Sequence, residues 1–327
     1  MRYTLSHFAV IVLLGISPAV FALGEGCPSF LGPVSLGLPE NEALDEISGI
    51  VASRRQPGVF WVHNDGGDEG PRLYALLEDG SHLGTYELAE TLMADWEDIA
   101  LGPGPAIGVD YLYVGYIGNN SLDPRDLRLH RVVEPDVALD QEPVFETLSG
   151  VDTFYLQYPL APVESHDCET LLADPATGDL CLVTKDTKGD DAGISYVFRA
   201  AAPHVADSTR TLELAASISE AGGLFNLVTG GDISPQNDAV LIRTYGRVRL
   251  WPRGAGESWA SVFSAVPCDL PLPGLAQELQ GEAICFAADD SGYYTVGEAQ
   301  ILPSPIYFME RSAEGEGEGE GEGEGEG

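Results

Sequence analysis

The sequence predicts an all-β protein, a β-propeller in which five blade repeats are visible, and so a ring of five or six blades. Three observations predict it. A short motif, a small or acidic pair ahead of an aliphatic residue, recurs five times. Each copy is followed by a turn-rich gap and then by a β-branched or aromatic run, and helical periodicity is nearly absent.

The elements follow in chain order. Residues 1–22 carry Arg2, an apolar run over 8–14, a break at Gly15 and Pro18, and the compact residues Val20 and Ala22 placed for cleavage after Ala22. That is the layout of a secretory signal peptide, and its apolar run is too short to span a bilayer. Residues 23–313 form the propeller domain. The apolar segment 30–38 has no partner of its own, and the last repeat lacks an outer strand, so 30–38 is expected to close the ring there. The five motif copies are Glu46-Ile47-Ser48-Gly49-Ile50, Asp95-Trp96-Glu97-Asp98-Ile99, Asp167-Cys168-Glu169-Thr170-Leu171, Gly230-Gly231-Asp232-Ile233-Ser234 and Gln280-Gly281-Glu282-Ala283-Ile284. Their aliphatic positions 50, 99, 171, 233 and 284 are separated by 49, 72, 62 and 51 residues. Second strands are expected at 59–63, 111–115, 180–185, 239–243 and 293–297, each pairing with its motif as a hairpin. Third strands are expected at 72–77, 127–133, 195–199, 248–252 and 306–309. The 72-residue interval has room for a degenerate sixth blade, and a β-sandwich or barrel of similar size is the competing architecture. Residues 314–327 are seven Glu-Gly repeats, which bury too little to offset their ordering entropy and read as a disordered linker.

Charge narrows the partners. The chain has 16 basic against 52 acidic residues, a formal net charge of −36, and its lysines are Lys185 and Lys188 alone. Such a field repels nucleic acid and anionic membrane. No other segment is long and apolar enough for a membrane span. The expected location is secreted, extracellular or periplasmic, with a small polar ligand or an extracellular protein or glycan as partner. Five cysteines in a secreted chain permit two disulfides and one leftover thiol. Cys168–Cys181 and Cys268–Cys285 are the expected pairs, with Cys27 bonded to Cys285 as the alternative.

In a hairpin the start of the first strand and the end of the second lie side by side, so one end of the propeller should collect both sets of residues. Glu97, Asp98, Glu169, Glu282 and Asp65 are then candidate ligands of a hard cation, Ca²⁺ above all, because it takes six to eight oxygens. Zinc fits poorly, since no Cys/His cluster with ligand spacing occurs. A solvated acidic rim, with Glu97 or Glu169 paired to Lys185 and Arg243, is the competing reading. The turn 65–70 fails the EF-hand spacing. For catalysis His166, beside Asp167 and near Glu169, is the candidate base. His63, Asn64, Asn120, Lys185 and Arg243 are candidate ligand-binding residues, the two cations for an anionic group. No nucleophile elbow, phosphate loop or dinucleotide fingerprint occurs.

Six segments together resemble a family of secreted bacterial propellers of largely uncharacterised function: Ser48-Gly49-Ile50, His63-Asn64-Asp65, Asp95-Trp96-Glu97-Asp98-Ile99-Ala100, the run 113–120, His166-Asp167-Cys168-Glu169 and Gln280-Gly281-Glu282. The resemblance covers roughly 45–298. More distantly the chain is similar to phytase-like esterase propellers and to the gluconolactonase and strictosidine-synthase group, which implies a divalent metal in the central tunnel. One departure weakens that implication: Tyr116 and Asn119 stand where the family run has aspartates. The expected function is a divalent-metal-dependent hydrolase of an ester, lactone or phosphoester, with a non-catalytic binding or scaffold propeller as the alternative.

Overall fold

Strands that are buried along their whole length, such as Ile47–Ala52 and Val59–Asn64, give every repeat a sheet covered on both faces. In the computed structural model, which describes residues 27–66, 70–92, 95–122, 127–159, 165–185, 193–219 and 223–312, these sheets are five blades of a propeller. The expected signal peptide and the Glu-Gly linker lie outside the described residues, as do residues 67–69 of the acidic turn.

Blade 1 is built from β2 (Ile47–Ala52), β3 (Val59–Asn64), β4 (Arg72–Leu77) and β5 (His82–Leu88). Blade 2 has β6 (Trp96–Pro103), β7 (Asp110–Tyr116), β8 (Leu127–Val133) and β10 (Asp152–Gln157). Blade 3 has β11 (Cys168–Ala173), β12 (Leu180–Thr184), β13 (Ile194–Ala200) and β15 (Glu213–Ser219). Blade 4 has β16 (Val228–Ile233), β17 (Ala239–Thr244), β18 (Arg247–Pro252) and β19 (Cys268–Leu270). Blade 5 runs β20 (Gly281–Phe286), β21 (Gly292–Gly297) and β22 (Ile306–Glu310), and β1 (Val34–Gly37) completes it by pairing antiparallel with β22. The N-terminal strand therefore closes the ring.

Among its described residues the 72-residue interval holds no sixth blade. Its extra residues leave blade 2 and lay β9 (Val144–Leu148) parallel against β5 of blade 1 before returning as β10. Blade 3 does the same to blade 2, adding β14 (Thr209–Thr211) parallel to β10. The core is five inter-blade layers. On β3, Val59 and Trp61 pack toward blade 2, while Phe60 and Val62 pack toward blade 5. Among the described residues the α-helix α1 (Trp259–Ser264) is capped by Ser258 and stacks Trp259 on Phe263.

The disulfide is Cys27–Cys268, with Cα atoms 5.7 Å apart, and Cys168, Cys181 and Cys285 are buried free thiols. Both expected pairings involving Cys285, and the Cys168–Cys181 pairing, are thus corrected. The hairpin register explains the second: Cys168 faces Thr184 and Cys181 faces Leu172, four residues along the ladder. The observed bond ties the chain ahead of β1 to the outer strand of blade 4. Replacing both cysteines by serine is expected to cost about 2–4 kcal/mol, read as a lower urea midpoint; an unchanged midpoint would show that β1–β22 pairing suffices. Disulfides persist in oxidising compartments, and among the described residues no helix is long and apolar enough to cross a membrane.

Candidate functional site

All five inner strands break register at the same level. The residue left over in the ladder is Ser48, Glu97, Glu169, Thr229 and Glu282 in blades 1 to 5. A bulge re-aims the side chain it carries. In blades 1 and 4 that side chain is a hydroxyl used for the ring itself: Ser48 Oγ donates to Glu97 O at 2.6 Å, and Thr229 Oγ1 donates to Gly281 O at 3.0 Å. In the other three it is a buried glutamate. Blade 4 therefore contributes Thr229 at this level, and Asp232 lies farther along its strand, accepting the N–H groups of Ile233 and Phe286 at 2.8 and 2.9 Å.

Two groups of residues gather around these glutamates. In the first, Asp65, Asp95 and Glu97 bring ligand oxygens within 4.8 Å of one another. Asp65 follows β3, and Asp95 opens β6 with φ 58°, a left-handed conformation that aspartate tolerates better than most residues. Glu97 lies so close to the Gly118 backbone that a Cβ there would meet Oε1 at 1.8 Å. Burial, then the charges of Asp95 and Glu46, push the Asp65 carboxyl up to about 7. Burial and the Glu169 charge hold Glu97 well above the carboxylate range.

In the second group Lys185 Nζ lies 2.9 Å from Glu169 Oε1 and donates to the Tyr245 hydroxyl at 3.2 Å. Burial opposes the Lys185 charge, yet Glu169 and Glu282 outweigh it and raise its pKa, so it stays an ammonium. Burial wins for the glutamates despite that ammonium, with Glu169 pushed up to about 7 and Glu282 to about 8. Glu282 Oε2 is buried and makes no hydrogen bond.

The remaining predicted residues sit around these groups. Asp98 accepts the N–H of Ile99 and of Leu171 on the next blade, each at 2.8 Å, and thereby bridges blades 2 and 3. Asp167 accepts Asn119 N–H at 2.6 Å. His166 packs its ring against Tyr158, Tyr196 and Phe198. His63 is fully buried edge-on to Trp96, in space that Gly49 leaves open, and burial lowers its pKa to about 4. Asn64 donates to Ala43 O at 2.6 Å. Asn120 is exposed. Arg243 is wholly buried, donating to Glu278 Oε2 at 2.5 Å and Ala283 O at 3.2 Å. Asp95, at the head of the second motif copy, was expected at this end but not among the metal ligands, and Tyr245 beside Lys185 and Glu278 beside Arg243 were not singled out by the sequence. Tyr245 had a signal, since it directly follows the end of a second strand, as Asp65 and Lys185 do.

The fold and site together define an all-β propeller with an acidic end to its axis. No protein-family model matches the chain, and no curated protein matches it. Solved structures similar to it include the PQQ-bound aldose sugar dehydrogenase of Streptomyces coelicolor (13% identity, TM-score 0.45, covering 87% of this chain and 99% of that one). A candidate 6-phosphogluconolactonase from Bacteroides uniformis (11%, TM-score 0.39, covering 81% and 72%) and the WD40 repeats of RRP9 (10%, TM-score 0.41, covering 87% and 100%) are others. Likeness at this level says nothing of what this chain binds or does.

Proposed function

We propose that the protein is a secreted propeller that binds a divalent cation, Ca²⁺ by preference, at Asp65, Asp95 and Glu97, and takes a small polar ligand beside it. The observation that carries this reading is the approach of those three carboxylates. Like charges so close, and partly withdrawn from water, repel unless protonated or neutralised by a cation. Their all-oxygen donor set suits Ca²⁺ or Mg²⁺ rather than a softer metal. The buried, unpartnered Glu282 Oε2 supports the reading, because it leaves an acceptor for a ligand's hydroxyl or for water. Bound there, the cation would polarise an ester, lactone or phosphoester oxygen or activate water. Lys185 is fixed by Glu169 and Tyr245 and would orient the ligand's acidic or carbonyl group, while Glu282 would exchange a proton with it. Secretion, with residues 1–22 removed and 314–327 as a linker, accords with the disulfide and the charge.

Calorimetric titration of the purified protein with Ca²⁺ is the test. One saturable site is expected, weakened about tenfold or more, on the order of 1.4 kcal/mol, by Glu97→Gln and by Asp65→Asn. Absence of saturable binding, or binding that neither change touches, would overturn the metal reading. Hydrolysis, if found in an ester, lactone and phosphoester screen, is expected to fall with Glu282→Gln while the fold is kept.

A further inference from the structure

A second cleft opens at the same end of the propeller, outward from the acidic site and between blades 1 and 2. It has a volume of about 540 Å³, and its walls are the turn after β5 with Glu90 and Leu92, Arg128 and His130 of β8, and Thr153 and Tyr155 of β10. We propose that this cleft is a binding site for an organic ligand carrying one oxyanion, a carboxylate or a phosphate, gripped by Arg128. The proposal does not depend on the metal reading.

Arg128 is the first observation. Its guanidinium lies 5.4 Å from the Tyr116 ring centre and 5.9 Å from that of Tyr155. Its Nε is buried and makes no hydrogen bond, and among the described residues no carboxylate pairs with it. The buried arginines differ in their partners, since Arg131 pairs with Asp152, Arg243 with Glu278 and Arg253 with Asp174, whereas the half-buried Arg128 pairs with no carboxylate among the described residues. In a chain with 52 acidic residues, an arginine set over two rings and without a carboxylate among the described residues can offer its fork to an incoming anion.

His130 is the second. It is 2% exposed, its Nδ1 is 2.9 Å from Thr153 Oγ1, and its Nε2 is buried without a hydrogen bond. The Leu92 carbonyl, which accepts from Trp96 Nε1 at 3.1 Å, keeps a second lone pair that favours the protonated His130 ring. A buried ring nitrogen without a well-formed hydrogen bond gives the base of the cleft a polar atom that a ligand can engage. Glu90 and Asp207 on the rim would repel a second negative group, so the ligand's remaining surface should be hydroxylated or cationic.

Trp96 separates this cleft from the acidic site, its ring 5.9 Å from His130 and 5.7 Å from His63, and its indole N–H reports on the cleft. The test is a titration of the calcium-free protein with inorganic phosphate and, separately, acetate, at about 0.15 M salt so that distant acidic charge is screened. The Trp96 indole and Arg128 Nε–H resonances are followed by NMR. Saturable shifts in both are expected with at least one probe. Phosphate alone would assign a phosphorylated ligand, acetate alone a carboxylate. Arg128→Gln is expected to weaken binding about tenfold or more, and Arg128→Lys less, because charge survives without the fork. No saturable shift with either probe would overturn the proposal. So would a wild-type Arg128 Nε–H that stays still while Trp96 moves, a result readable even if Arg128→Gln does not fold.

Discussion

Glu278→Ala is expected to destabilise the protein by about 3–5 kcal/mol, because it strands a buried cation. Arg243 and Glu278 are 0% and 1% exposed at their side chains and 2.5 Å apart, at the junction of blades 4 and 5. Without the carboxylate, the guanidinium keeps its bond to Ala283 O but has no counter-charge and no water to replace it. The loss corresponds to a fall in Tm on the order of 10 °C for a chain of this size, measurable by thermal melts followed by circular dichroism. Gly281→Ala should do comparable damage by another route, since a Cβ there would sit 1.5 Å from Arg243 Nη2. The double change Arg243→Met with Glu278→Leu separates two meanings of the result. If it restores most of the stability, the single variant suffers from an unpaired charge and the pair itself contributes little. A loss below about 1 kcal/mol in Glu278→Ala would mean that water or another carboxylate reaches Arg243.

The blades were legible because their signal is local. Strands such as Arg72–Leu77 and Leu127–Val133 carry their own apolar and aromatic runs with turn boundaries. The N-terminal strand was legible by elimination, since one apolar segment and one missing outer strand remained. β9 and β14 were not, because they are held by backbone pairing to a neighbouring blade's edge while most of their side chains are exposed, so no hydrophobic pattern marks them. At the site, the glutamates were found because the repeat places them. The bulge was not, and with it went the distinction between Asp98, whose oxygens both serve backbone N–H groups, and Glu97 one residue before it. The aromatic surroundings of His166 depend on Tyr158, which arrives from the end of blade 2's outer strand, a contact that nothing near position 166 announces. Glu278 sits in a loop, where its partner 35 residues earlier gives no local sign.

In calcium-free buffer the protein is expected to lose stability as pH rises from about 6.5 to 8.5, and calcium is expected to oppose that loss. Glu169 and Glu282 have folded values raised to about 7 and about 8, against an unfolded value of about 4.3. Between those limits the folded chain holds protons that the unfolded chain has released, so stability present at low pH is lost as pH climbs through the folded values. His63 and His130, both lowered to about 4, act in the opposite sense: from about 4 to 6.5 the unfolded chain binds the extra protons and stability rises with pH. The window above 6.5 is therefore where the glutamates are read without them. Calcium enters through mass action, adding about 4 kcal/mol when it stands at a thousand times its Kd. Its affinity should grow with pH, because a carboxylate must be deprotonated to bind it. The gap in Tm with and without calcium should thus widen from pH 6.5 to 8.5 in the wild type and stay narrow in Glu97→Gln. A pH-dependent loss that calcium leaves untouched would keep the buried glutamates and remove the metal. A flat profile with calcium still bound would mean that Lys185 already balances Glu169 and Glu282, leaving Asp65, Asp95 and Glu97 as a separate site.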